Sequence, residues 1–147
     1  MIFMIKRFDY PVKLSKQKEG GYLIQFPDFQ EAISQSDGII SAIIEASDCL
    51  EEAIANRIIM RLPIPKPSKA KRGQRVISLK GVIAAKAALY IAIKEKKITN
   101  TALAKKLNWD EKEVRRVLDP HYQSGFPKIE VALNAVGQRL SISIAQL

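Results

Sequence analysis

NTALAKKLNWDEKEVRRVL, residues 100–118, reads as two short helices joined by a tight turn. Leu103, Ala104 and Leu107 fall at i, i+1 and i+4, on one face of the first helix. Trp109, Val114, Val117 and Leu118 line the inward face of the turn and the second helix, so the two helices share one small core. Ala104 is small where the helices cross closely. Asn108 suits the turn because Asn tolerates the left-handed backbone that a sharp helix exit needs. Asp110 is placed to cap the second helix, its carboxylate accepting from free N–H groups, and Thr99 can do the same for the first. Glu111, Lys112, Arg115 and Arg116 are left on the outer face of the second helix.

That pattern resembles the helix-turn-helix of the XRE/Cro-like DNA-binding domains. It departs from the family at Asn108, where Gly is more usual. In such folds the second helix enters the major groove and its leading side chains read base edges. The resemblance implies Glu111, Lys112 and Arg116 as base readers, with Arg115 on the same charged face. It places Asn100 and Thr101, at the start of the first helix, near phosphates. The plainer alternative is a helical hairpin with a solvated charged face.

Charge along the chain points the same way. Residues 1–65 hold seven Lys/Arg against nine Asp/Glu, whereas residues 66–147 hold seventeen against six. An acidic front and a basic back imply two surfaces with different partners. The basic half suits phosphates, whose neutralisation releases counterions and makes binding salt-sensitive. The length of 147 residues suits one domain or two small ones, and an apolar fraction of 47% is enough for a core. Without a run of eighteen apolar residues, no transmembrane helix is expected. The start, MIFMIKRFDYPV, lacks the apolar core of a signal peptide. Cys49 is alone, so neither an internal disulfide nor a cysteine metal cluster is expected, and a reduced cytoplasm fits.

In the front half, Tyr10, Val12 and Leu14 alternate within Lys6–Leu14, as do Tyr22, Ile24 and Phe26, with Gly20-Gly21 between the two runs. This predicts a hairpin of two half-buried strands. Pro27-Asp28 ends the second strand, because proline cannot donate to a ladder. A short third strand is expected near Ala32–Gln35. Ser36-Asp37-Gly38 opens a helix from about Ile39 to Met60. Its Ile39, Ile40, Ile43, Ile44, Leu50, Ile54 and Ile58 recur at helical steps, while Glu45, Asp48, Glu51, Glu52 and Arg57 fall largely opposite. Pro63, Pro65 and Pro67 stop it, and Arg75–Leu79 returns as a last strand. Lys66–Arg75 between them reads as a flexible linker or, less simply, as a basic arm along DNA.

This order of elements resembles the HicB antitoxin fold. The words Gly21-Tyr22 followed by Phe26-Pro27-Asp28, the Ser36-Asp37 pair before the helix and the Ile64-Pro65-Lys66-Pro67 exit carry the likeness. Phe29-Gln30-Glu31-Ala32 replaces the usual Leu-Pro-Gly-Cys, which leaves that loop's conformation open. The resemblance implies a partial ribonuclease-H-like front domain that binds and neutralises a HicA-like toxin, a small basic RNA-cleaving protein. An acidic front domain offers a complementary field to such a partner. Catalysis by the chain itself is not expected. Ribonuclease H chemistry needs carboxylates converging on metal ions, and Asp9, Asp28, Glu31, Asp37 and Asp48 show no metal-ligand spacing.

Behind the linker, Leu79–Lys97 predicts an alanine-rich helix whose terminal Lys94, Lys96 and Lys97 suit the helix dipole. Asp119-Pro120 ends the second helix of the pair. His121–Pro127 is a loop, Ile129–Val136 one more helix, and Gly137 its cap. Leu140, Ile142 and Ile144 alternate with serines, which predicts a terminal strand within RLSISI. A lone strand has unpaired edges, and pairing with the same strand of a second copy would satisfy them.

The resulting expectation is an α+β chain. Residues 1–79 form a toxin-binding domain with a small antiparallel sheet and one long helix. Residues 80–147 form a helical DNA-binding domain with a dimerising strand. Its function is that of an antitoxin that binds operator DNA as a homo-oligomer, dimer or tetramer, and represses its own operon, without cofactor, metal or membrane. A stand-alone transcription regulator with a ligand-sensing or dimerising front domain is the alternative.

Overall fold

The structure is a computed structural model that describes residues 5–146; readings that fall on residues 1–4 and 147 lie outside them. The chain divides into two compact units, Met1–Ala84 and Ala85–Leu147.

The first unit holds strands β1 (Asp9–Lys16), β2 (Tyr22–Phe26) and β3 (Phe29–Ser36), helix α1 (Ile39–Ile59) and strand β4 (Arg75–Ser78). The sheet order is β3-β2-β1-β4, and every neighbouring pair is antiparallel. Alternation decides which face is buried. Tyr10, Val12, Ile24, Ala32 and Ile77 are turned inward. They meet the stripe Ala42, Ala46, Leu50, Ala53, Ile54 and Ile58 of α1, whose alanines let helix and sheet approach closely. The β1–β2 turn needs Gly21: its φ is +77°, and a Cβ there would lie 2.6 Å from the Ser36 carbonyl oxygen.

Two front-half expectations are corrected. Phe29–Ala32, whose conformation the sequence leaves open, is strand. Pro27 and Asp28 alone make the turn, and the third strand begins at Phe29, earlier than Ala32. Phe29 is the reason, since its ring is fully buried and stacks edge-on against Tyr10 at 4.9 Å. Nor is the whole of Lys66–Arg75 a flexible linker. The chain leaving α1 is strapped to the sheet: Tyr10 Oη donates to the Pro65 carbonyl at 2.7 Å, and Ser68 N–H donates to Asp28 Oδ2 at 2.9 Å. Arg57 of α1 also joins this strap. It is bidentate to Glu31 at 2.6 and 3.1 Å, donates to the Pro63 carbonyl at 2.7 Å and lies over the Phe29 ring.

In the second unit, α2 (Gly81–Lys96, beginning just before the unit's boundary) is followed by α3 (Asn100–Leu107), α4 (Glu111–Leu118) and α5 (Phe126–Ala135). Leu89, Leu103, Ala104, Val114, Val117, Ile129, Ala132 and Leu133 form its core. The last helix starts at Phe126 rather than Ile129, because Pro127 fits a first turn that needs no N–H from it. Residues 139–144 make no strand: a ladder needs a neighbour, and within one chain Ile142 and Ile144 stay 69% and 97% exposed. Trp109 is only half-buried, with Lys128 Nζ 5.2 Å from its ring centroid. Among the described residues, no helix is long and apolar enough to cross a membrane.

Candidate functional site

The turn between α3 and α4 follows from three side chains. Thr99 Oγ1 accepts from Ala102 N–H at 3.0 Å and opens α3. Asn108 closes it in the left-handed region, φ 55° and ψ 40°, and Trp109 N–H returns to the Ala104 carbonyl at 2.9 Å. Asp110 Oδ1 then accepts from Glu113 N–H at 2.9 Å and opens α4. Leu103 and Ala104 of α3 and Val114 and Val117 of α4 are buried, so both helices turn their polar faces outward.

On that outward surface the chain joins some of the sequence-derived candidates. Thr101 Oγ1 donates to Glu111 Oε1, and Arg115 Nη1 lies 3.6 Å from Glu111 Oε2. Thr101, Glu111 and Arg115 thus form one string from α3 to α4. Lys112 and Arg116, one turn apart, are both exposed. The guanidinium of Arg116 lies 5.3 Å over the Tyr122 ring. Asn100 is half-buried in the first turn of α3 and is not joined to the string by any hydrogen bond among the described residues.

The residue missed in the sequence is Lys86. It is wholly buried, and its Nζ donates to the carbonyls of Arg116 at 3.2 Å, Asp119 at 2.6 Å and Tyr122 at 2.6 Å. All three ammonium hydrogens have acceptors. They meet the carbonyl end of α4, where a helix carries partial negative charge and lacks intrahelical donors. Burial pushes the lysine below its ordinary pKa, and the Asp119 carboxylate pulls it partly back. A signal existed: Lys86 is the one charged residue between Gly81 and Ile93, in an otherwise apolar helix. Lys96, expected to serve its own helix end, instead donates to the Val136 carbonyl at the end of α5. Lys94 is engaged with Tyr90, its Nζ 3.3 Å from the phenol oxygen. So α2 supplies ammonium groups that close the carbonyl ends of two later helices.

The front-half carboxylates are also occupied locally. Asp9 accepts from Ser78, Asp28 from Ser68, and Asp48 and Glu51 hold Lys80 at 3.0 Å each. Among the described residues, no group of three or more His, Cys, Asp or Glu is arranged to hold a metal ion.

Comparison with known proteins bears on the whole chain. Residues 9–88 match the family described as HicB_like antitoxin of bacterial toxin-antitoxin system. The chain belongs to the HicB antitoxin family. It is 31% identical to Antitoxin HicB 1 of Photorhabdus laumondii subsp. laumondii, over 97% of this chain and 90% of that one. It is 29% identical to Antitoxin HicB of Escherichia coli strain K12, over 90% of this chain and 96% of the relative. The matched HicB segment takes in the sheet, α1 and the opening of α2. The α3–α4 surface lies beyond it but inside the span shared with these HicB relatives.

Proposed function

We propose that the chain is the antitoxin of a HicA/HicB-type pair, acting in the cytoplasm. Its front unit, a partial ribonuclease-H-like fold, binds an RNA-cleaving toxin and blocks it. Its back unit, a helix-turn-helix of the XRE/Cro type, binds operator DNA and represses the shared operon. The observation that carries this reading is the length of the likeness, which runs through both units of proteins named antitoxins.

The DNA half rests on α4. Its base is fastened by Lys86 and its leading end is capped by Asp110, so the outer face is presented rigidly. Lys112 and Arg116 read base edges, Arg115 and Glu111 set the approach of their neighbours, and Asn100 and Thr101 face phosphate at the start of α3. The back half's excess of Lys and Arg supplies the salt-dependent part of the affinity. Two copies are joined through the extended segment 139–144, whose Ile142 and Ile144 are otherwise bare, and α5 adds Val131, 48% exposed. A two-fold pair would set two α4 helices on successive half-sites.

Two experiments test the proposal. Mixed in equal amounts with a HicA toxin, the protein should stop RNA cleavage; cleavage that continues refutes the toxin half. Titrated with its own promoter and with random DNA at two salt concentrations, it should prefer the promoter at both. Equal affinity for the two DNAs refutes sequence-specific repression.

A further inference from the structure

The leading half of α1 does not keep all its isoleucines inside. Ile40, Ile43 and Ile44 are 75%, 36% and 61% exposed, and their spacing puts them side by side on one helix face. The buried stripe of the same helix is built by Ala42, Ala46 and Leu50, so these three take no part in the front core. Contiguous large aliphatic side chains on a surface mark a place that is covered by something. Their surroundings keep a net negative charge: Asp37 just ahead and Asp48, Glu51 and Glu52 along the helix outnumber the Lys80 ammonium that bridges two of them, while Glu45 turns back to Ser34 of β3. The cations nearby are already used, Lys80 on Asp48 and Glu51 and Arg57 on Glu31.

We infer that the Ile40–Ile44 face of α1 is where the front unit seats a cationic protein partner. Resting on the antitoxin reading above, that partner is the toxin. Its apolar side chains cover the isoleucines while its lysines and arginines meet the carboxylate rim. Charge decides against the other occupants. A second copy placed by a two-fold axis over Ile40–Ile44, with its α1 antiparallel, would bring Asp48 of each copy beside Asp37 of the other, and like charges so placed oppose association. Nucleic acid is repelled by the same rim. The outer face of the sheet, where Lys13, Gln25 and Ile33 are register neighbours, also exposes an isoleucine but carries a lysine and lacks the acidic surround.

The test uses the tagged full-length chain expressed from its native operon, so that the neighbouring toxin co-purifies. Three variants accompany the wild type: Ile40→Lys alone, Ile40→Lys with Ile44→Lys, and Ile33→Lys on the sheet. All change exposed side chains, and a circular dichroism melt confirms that each folds. Titration with purified toxin should show the double variant binding at least about 100-fold more weakly than wild type, the single variant falling between, and Ile33→Lys unchanged. If Ile33→Lys loses the toxin and the α1 variants keep it, the docking face is the sheet and the inference is wrong. If the α1 variants keep the toxin but break a dimer on size-exclusion chromatography, the face joins copies and the inference is wrong. Failure of the wild type itself to hold any toxin overturns the antitoxin reading, and is told apart because it precedes any comparison of variants.

Discussion

Replacing Lys86 by Met tests whether a buried ammonium holds α4 in place. Met keeps most of the volume and all of the apolar stem, so packing is nearly preserved. What disappears is three donors. The carbonyls of Arg116, Asp119 and Tyr122, now held at 3.2, 2.6 and 2.6 Å, would be left without them. At roughly 1 kcal/mol for each hydrogen bond lost, the loss is about 3 kcal/mol, with the Arg116 and Asp119 carbonyls still reached by the Asp119 and Tyr122 N–H groups. Relief from burying a cation returns part of that, so the net destabilisation should be about 2–3 kcal/mol. Trp109 is the only tryptophan and lies in the second unit, so its fluorescence follows that unit during urea unfolding. With a slope of about 1 kcal/mol/M for a unit of this size, the midpoint should fall by about 2–3 M. Lys112→Met, on the exposed face of α4, is the control and should leave the midpoint in place. A Lys86→Met midpoint within about 0.5 M of wild type would refute the idea that these bonds secure the helix.

Arg116→Ala or Lys112→Ala should weaken operator binding by about 1–3 kcal/mol in fluorescence anisotropy while toxin binding is unchanged; an unaltered operator affinity would remove the residue from the reading face. Glu111→Gln takes a carboxylate off that face, so binding to random DNA should tighten, most visibly at low salt; no change would mean that Glu111 lies away from the phosphates. Gly21→Ala forces a Cβ to within 2.6 Å of the Ser36 carbonyl oxygen at a φ of +77°, and should destabilise the front unit by about 2 kcal/mol or more; a melt identical to wild type would contradict the tight turn. Arg57 holds the Glu31 carboxyl below its ordinary value of 4.5. A depressed carboxylate adds stability that is present above its unfolded pKa and is lost as pH falls through the folded one. Glu31→Gln should therefore cost more stability at pH 7 than at pH 3. Because Glu31 is 45% exposed, the difference at pH 7 should stay below about 1 kcal/mol; an equal gap at both pH values would deny the ion pair.

The elements most legible in the sequence are those whose signals are local. Alternation at Tyr10–Leu14 and Tyr22–Phe26 states the hairpin, and the isoleucine spacing from Ile39 to Ile58 states α1, because each pattern repeats within a few residues. The α3–α4 turn was readable for the same reason: Thr99, Asn108 and Asp110 act on backbone groups one to four positions away. What was not legible depends on distant partners. Phe29 looks like a loop residue until Tyr10 and Arg57 are beside it. Pro65 and Ser68 look like linker until Tyr10 and Asp28 reach them across more than thirty residues. Ile40 and Ile44 obeyed the helical period yet face solvent, since Ala42 and Ala46, fully buried in the same turns, take the side of α1 that meets the sheet.

Charge separates along the same line. The imbalance between the two halves is visible in composition, but composition cannot say which cations remain for a partner. Lys86 and Lys96 of α2 are spent on helix carbonyls, Lys128 pairs with Glu113 at 3.3 Å, and Lys80 answers two carboxylates of α1. These side chains hold the protein together and add little to an encounter with phosphate. The cations of α4 differ because a helix eight residues long, buried on Val114 and Val117 alone, leaves most of its circumference outside. The narrowness of that buried stripe is what keeps Lys112 and Arg116 at the surface. Its two ends are fastened, by Asp110 in front and Lys86 behind, because eight residues cannot sustain a helix in water unaided. A rigid, short, outward helix needs both fastenings, and the buried lysine is the one that composition counts as surface charge.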